Sequence, residues 1–226
     1  MKNVMLFLLL VGLTFSCSSV VYYPNTANTP LFREKHEIYL SANAVPGGAN
    51  LHAAYAPGKH LALLLNGSVI NFAGTELETD YRSGQNYAEI AAGGFSAISG
   101  PLSVETYLGA GIGGSSSKNL NTGVLRTTGL FKAFLQLNTG FRWKYLTLGV
   151  SVRESFVHTA APQYDGVTNG LAESDIFFEP LVFLGLGPEK FRVKAEAGLS
   201  YAHFVNLSYA PFLFSLGVET RFSLKK

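Results

Sequence analysis

From Phe191 to His203 the chain reads F-R-V-K-A-E-A-G-L-S-Y-A-H. Phe191, Val193, Ala195, Ala197, Leu199 and Tyr201 occupy one set of alternate positions, and Arg192, Lys194, Glu196, Gly198 and Ser200 the other. A period of two is that of an extended strand, whose successive side chains leave opposite faces. An apolar face about ten residues long, backed by a charged face, is what a membrane β-barrel strand requires, with lipid outside and a polar lumen inside. The same pattern recurs along the chain.

Composition points the same way. Charged residues make up 14% of the chain, against about 25% in an ordinary soluble domain. Aromatic residues reach 13% and glycines number 24. Past residue 20 no apolar run approaches the roughly 18 residues that a helical span needs. The net charge is +2, with no basic cluster, which argues against a nucleic-acid partner.

Lys2 and the apolar run from Val4 to Leu13 form a short export signal, too short to span a bilayer. It ends at Thr14-Phe15-Ser16-Cys17, with the only cysteine of the chain. A small residue followed by Cys directly after the apolar run resembles a bacterial lipobox, so Cys17 is the expected lipidation site. Residues 1–16 are then the signal peptide, residues 17–34 a lipidated N-terminal tether, and residues 35–226 the barrel. Pro24, Pro30 and several Asn and Thr residues read as extended, polar chain between anchor and first strand.

Ten strands are expected, near 35–45, 49–56, 61–72, 86–98, 102–114, 128–143, 145–158, 173–186, 190–205 and 208–224, with eight as the alternative count. The connections after strands two, four, six and eight are tight. Those after three, five and seven, near 73–85, 115–127 and 159–172, are long and polar. Short turns on one side and long loops on the other are the asymmetry of membrane barrels. The expected fold class is therefore all-β, a transmembrane antiparallel up-and-down barrel. Its even strand number returns the chain to the side on which the tether begins, the periplasm.

Placing the polar face of each strand inward yields a lumen list. Its acids are Glu37, Glu89, Glu105, Glu179, Glu196 and Glu219; its bases are Lys132, Arg142, Arg153, Arg192, Lys194 and Arg221. The two signs balance, and a barrel of this size has an interior that its side chains largely fill. Paired charges filling a narrow lumen fit a plug better than a selective pore. Glu154 alone breaks the pattern, pointing outward beside Val152 and Phe156.

Motifs for chemistry are few. Gly109-Ala110-Gly111-Ile112-Gly113-Gly114 matches G-x-G-x-x-G, but the polar Ser115-Ser116-Ser117-Lys118 follows it where a nucleotide site needs a helix. His36, His52, His60, His158 and His203 lack ligand spacing, so no metal or other cofactor is expected. Asp80, His158, Asp165, Glu173 and Asp175 could meet at the outer rim, where an acid and a His could activate water. That leaves an outer-rim hydrolase, of omptin or lipid A deacylase type, as one alternative to a non-enzymatic structural or scaffold protein, and a narrow channel for ions or small solutes as another.

Tyr23-Pro24-Asn25-Thr26-Ala27-Asn28-Thr29-Pro30-Leu31-Phe32-Arg33-Glu34-Lys35-His36-Glu37, with Ala54-Tyr55-Ala56 beyond it, resembles a signature of small outer-membrane β-barrel lipoproteins of Bacteroidota-type bacteria. The signature, Y-x-P-N-x-x-N-x-P-L-F-x-E-K-x-E after the Cys, covers about 40 residues. The resemblance implies an outer-membrane place and a barrel fold, and it assigns no activity. Ser215-Leu216-Gly217-Val218-Glu219-Thr220-Arg221-Phe222 resembles the C-terminal signal read by the barrel-assembly machinery, an implied partner in biogenesis. Outer-membrane lipid, and an envelope protein met through the long loops, are the other implied partners. No run of acids follows Cys17, as it does in surface-export signals of that group. The resemblance thus implies a lipid in the inner leaflet and a periplasmic N-terminus.

Overall fold

The computed structural model describes residues 20–76 and 79–224. The export signal and Cys17 lie outside the described residues. Thirteen strands are found among the described residues: β1 (Glu37–Val45), β2 (Gly48–Tyr55), β3 (Leu61–Glu76), β4 (Thr79–Ser99), β5 (Leu102–Asn119), β6 (Leu125–Arg142), β7 (Leu146–Thr159), β8 (Gln163–Tyr164), β9 (Val167–Thr168), β10 (Glu173–Leu186), β11 (Phe191–Leu199), β12 (Tyr201–Ala202) and β13 (Phe212–Ser223). Ten of them close an antiparallel up-and-down barrel: β1 to β7, then β10, β11 and β13, with β13 pairing back onto β1. Closure leaves each strand two neighbours within the barrel wall, where no backbone edge is left unpaired. The two-residue strands are accessory. β8 and β9 form a small hairpin that pairs with β6, and β12 continues β11 past Ser200 along β10.

The alternation along each strand sorts the residues. In β11, Arg192, Lys194 and Glu196 are buried inward while Phe191, Val193 and Ala195 are exposed outward. The outer wall carries Leu51, Leu65, Ile90, Leu108, Ile112, Val182 and Leu216, all exposed. This is the inverse of a water-soluble barrel, whose polar face points out. Among the described residues no helix is long and apolar enough to cross a membrane, which says nothing of strands.

The connections differ from expectation at one end of the barrel. The polar stretch expected as a loop at 73–85 is instead paired, since β3 and β4 stay in register from Leu61↔Gly94 to Glu76↔Thr79. Much of 115–127 is likewise ladder, with Ser115↔Thr128 through Lys118↔Leu125. Polar residues in a two-stranded extension can pair their backbones while their side chains stay in water, so hydrophilic composition did not require a loop. Conversely, the single-residue turn expected at Asn206 is the connection 203–211. It folds over the barrel mouth, with Leu207 buried against Tyr22, Tyr87, Leu130, Val157 and Phe177. The end carrying 120–124, 160–172 and 203–211 is called the loop end. The end carrying 56–60, 100–101, 143–145 and 187–190 is the turn end.

Candidate functional site

Among the described residues, buried charged side chains converge in the lumen, and they fill it. All twelve charged residues expected there are buried. Arg142 is 6% exposed, and the other eleven are more deeply enclosed. Opposite charges meet across strands and, two residues apart, along them. Lys132 Nζ lies 3.2 Å from Glu89 Oε1 and 3.7 Å from Glu179 Oε2, and Arg153 Nη1 lies 3.6 Å from Glu89 Oε1. Lys194 Nζ is 2.8 Å from Glu196 Oε1. Glu219 Oε1 receives Arg221 at 3.2 Å and Arg192 at 3.8 Å, and Arg142 pairs with Glu37. Such pairs are tolerated in a dry interior only when the remaining donors and acceptors are also satisfied.

Wall side chains supply part of that satisfaction, as where Asn66 donates to Glu89 and Tyr39 to Glu219, and the N-terminal segment supplies much of the rest. Residues 21–32, expected as a tether, are extended, but they are buried throughout and run inside the barrel. Residue by residue the segment steps down the lumen. The Tyr22 hydroxyl donates to Glu179 at 2.8 Å, and the Tyr23 amide to Gln85 at 2.9 Å. Asn25 donates to Glu89 at 3.1 Å and accepts from Lys132 at 3.0 Å. Thr26 accepts from Asn50 at 2.9 Å, and Asn28 donates to Asn66 at 2.8 Å. The Asn28 carbonyl receives Gln136 and Asn138 at 2.7 and 3.0 Å. Thr29 Oγ1 accepts from Lys194 at 2.8 Å, and the Pro30 carbonyl from Arg221. The Leu31 carbonyl accepts from Arg142 at 3.1 Å, and the Phe32 amide donates to Glu105 at 2.6 Å.

This explains the composition of the segment. No wall strand runs beside it as a ladder partner, apart from one isolated bridge between Tyr22 and Tyr209. Its backbone must therefore bond to side chains, which Asn, Gln, Arg and Glu of the wall supply. Pro24 and Pro30 remove two donors that would need partners and hold the chain extended. Glu105 has no cation within ion-pair distance. The Phe32 amide and Asn138, at 2.9 Å, hold it instead. Where Leu31 passes β6, a side chain on Gly140 would come within 2.8 Å of its Cδ1, so the wall is thinned to glycine there.

Apolar layers close both ends. Phe32 packs with Tyr39, Leu64, Phe95, Tyr107 and Phe134 toward the turn end. Tyr22 and Leu207 pack with Phe177 and Val157 at the loop end. The G-x-G-x-x-G run lies within β5, where Tyr87 and Phe134 fill the space beside Gly113 and Gly109.

The other singled-out residues fall as follows. Glu154 does point outward, without a bulge, and meets His203 Nε2 at 2.9 Å. His52 is buried in the lumen at 2% exposure. His158 Nδ1 lies 2.8 Å from Ser174 Oγ on the outer wall at the loop end. Asp175 is buried and accepts from the Phe204 and Asn206 amides at 3.0 and 2.7 Å, tying down the 203–211 connection. Asp165 accepts from the Leu125 amide at 2.9 Å. His158, Asp165 and Asp175 thus each make a separate structural contact. Among the described residues no cluster of three His, Cys, Asp or Glu could hold a metal ion.

The lumen-filling role of residues 21–32 is what the tether reading missed. A hint was present in the sequence: the amide- and hydroxyl-bearing pairs Asn25-Thr26 and Asn28-Thr29 flank Ala27, and no charge appears until Arg33. Compared with known proteins, the chain matches no family model and no curated protein.

Proposed function

We propose that this chain is an integral outer-membrane β-barrel lipoprotein with a structural or scaffold role in the bacterial cell envelope, non-enzymatic and non-conducting. The observation that carries the reading is the combination of an apolar outer wall with a lumen packed by the chain's own residues 21–32. An exposed band of Leu, Ile and Val around a closed barrel is costly in water and favourable in lipid. A lumen sealed by Tyr22 and Leu207 at one end and by Phe32 at the other leaves no polar route for ions. The rim of the loop end is accessible and polar, and in this reading an envelope partner would dock there. Cys17 carries the lipid in this reading, and the barrel-assembly machinery inserts the strands.

Conductance of the refolded protein in a planar bilayer tests the plugged lumen. Silence from a barrel that shows heat-modifiable gel mobility supports the reading, and reproducible steps move it to a narrow channel. A second reading, an outer-rim hydrolase, is favoured by the His158–Ser174 contact of 2.8 Å at the loop end, which the membrane reading would bring near the level of lipid esters. Ester hydrolysis by the wild type, lost in Ser174→Ala with the fold intact, would establish it.

A further inference from the structure

The two ends of the described chain lie at opposite ends of the barrel. Leu224 donates its amide to the His36 carbonyl at 2.9 Å, at the turn end beside the start of β1. Val21 and Tyr22 donate theirs to the Ser208 carbonyl at 2.9 and 3.0 Å, and Ala210 donates to the Tyr22 carbonyl at 3.0 Å. Ser208 and Ala210 belong to the connection that folds over the loop end. Val20 and Val21 also lie against Ser115, Ser116, Ser117, Arg126 and Thr128, near the loop-end tips of β5 and β6. The parity that returns an even-stranded barrel to its starting side counts from β1. The lumen segment is an eleventh crossing, and it reverses the result.

We infer that the amino-terminal end of the chain is displayed on the outer, loop-bearing face of the membrane, so that the lipid on Cys17 sits in the outer leaflet. The inference rests on the proposed outer-membrane lipoprotein reading, with short turns facing the periplasm. Chain length decides between the leaflets. Three residues of fully extended chain reach at most about 11 Å from Val20 to Cys17, whereas the apolar band of such a barrel is about 25 Å tall. Returning Cys17 to the inner leaflet would require residues 21–32 to leave the lumen. That would strip Glu105 of the Phe32 amide, Lys194 of Thr29, and Lys132 of Asn25. The barrel therefore closes around its own N-terminal segment, and the anchor is delivered through the barrel that it anchors.

The test uses the full-length chain in its cells, with an epitope placed at one of three sites: immediately ahead of Val20, at Gly166 in the loop-end connection, or at Lys59 in a turn. Each variant is first shown to keep heat-modifiable mobility. The inference expects antibody binding to intact cells for the first two and binding only after permeabilisation for the third. Gly166 reached in intact cells, with the site ahead of Val20 reached only after permeabilisation, overturns the inference and leaves the barrel reading standing. Gly166 unreached in intact cells overturns both. Val20→Cys, probed with a membrane-impermeant maleimide, repeats the measurement without an insertion. Labelling in intact cells equal to that after lysis is expected, and its loss in intact cells overturns the inference.

Discussion

Lys132 shows how much rests on single side chains in this lumen. Its ammonium faces Glu89 and Glu179, donates to Asn25 Oδ1, and lies over the Tyr22 and Tyr87 rings. Lys132→Met keeps the length and removes the charge. It should destabilise the barrel by about 3–5 kcal/mol, because the carboxylates are left buried without their nearest cation. Glu154→Gln removes an ion pair with His203 whose side chains are 43% and 49% exposed, and should cost at most about 1 kcal/mol. Urea unfolding in detergent micelles compares the two. Equal effects would mean that the lumen is wet. At Gly140 the sign is set by space: Gly140→Val would push a side chain into Leu31 Cδ1 and the Leu148 carbonyl. It should lower stability by about 1–3 kcal/mol through overpacking, read in the same titration.

At the scale of elements, the plug and the wall are made for each other. Removal of residues 21–32, with the export signal and Cys17 retained, should leave a charged, open lumen and produce conductance steps that the wild type lacks. Asn25→Leu with Asn28→Leu is the milder form. Leu keeps the branched outline of Asn with more bulk, and both positions lose their bonds to Glu89, Lys132 and Asn66, so the seated segment should loosen and intermittent openings should appear. The 203–211 connection is held differently, by Asp175 against the Phe204 and Asn206 amides. Asp175→Ala should raise amide hydrogen exchange at residues 203–211 and leave the β1–β2 hairpin unchanged. An unchanged exchange pattern would show that Leu207 packing alone seats the connection.

On the scale of the whole molecule, the protein is a closed barrel filled by its own chain, as a soluble core would be, but through charge pairs and amides. In the proposed outer-membrane reading the apolar outer wall gains from lipid, the filled lumen passes no solutes, and function is expected at the loop-end rim and the anchor. Radiolabelled palmitate should enter the wild type and be absent from Cys17→Ser. Persistence of the label in that variant would move the modification elsewhere.

What could be read from the sequence alone is whatever depends on neighbours two residues apart. The alternation in Phe191–Leu199 marks β11 and also states which of its side chains go inward, because the pleat allows no other arrangement. Glu37, Glu89, Lys132, Arg192 and the other members of the lumen set were legible for that reason. The loops were less so, since the polar residues at 73–76 and 115–119 continue the ladders as readily as they would leave them. The segment from Val21 to Phe32 has no strand period and no charge, and its Asn, Thr and Pro residues suit a solvated tether as well as a lumen plug. Only the closed barrel decides between them. Glu89, Asn66, Lys132, Gln136 and Lys194 come from four different strands and surround a single extended chain only after the wall has closed. The end at which that chain emerges is set by where it meets Ser208 and Arg142, contacts that lie 186 and 111 residues away in sequence for Tyr22 and Leu31.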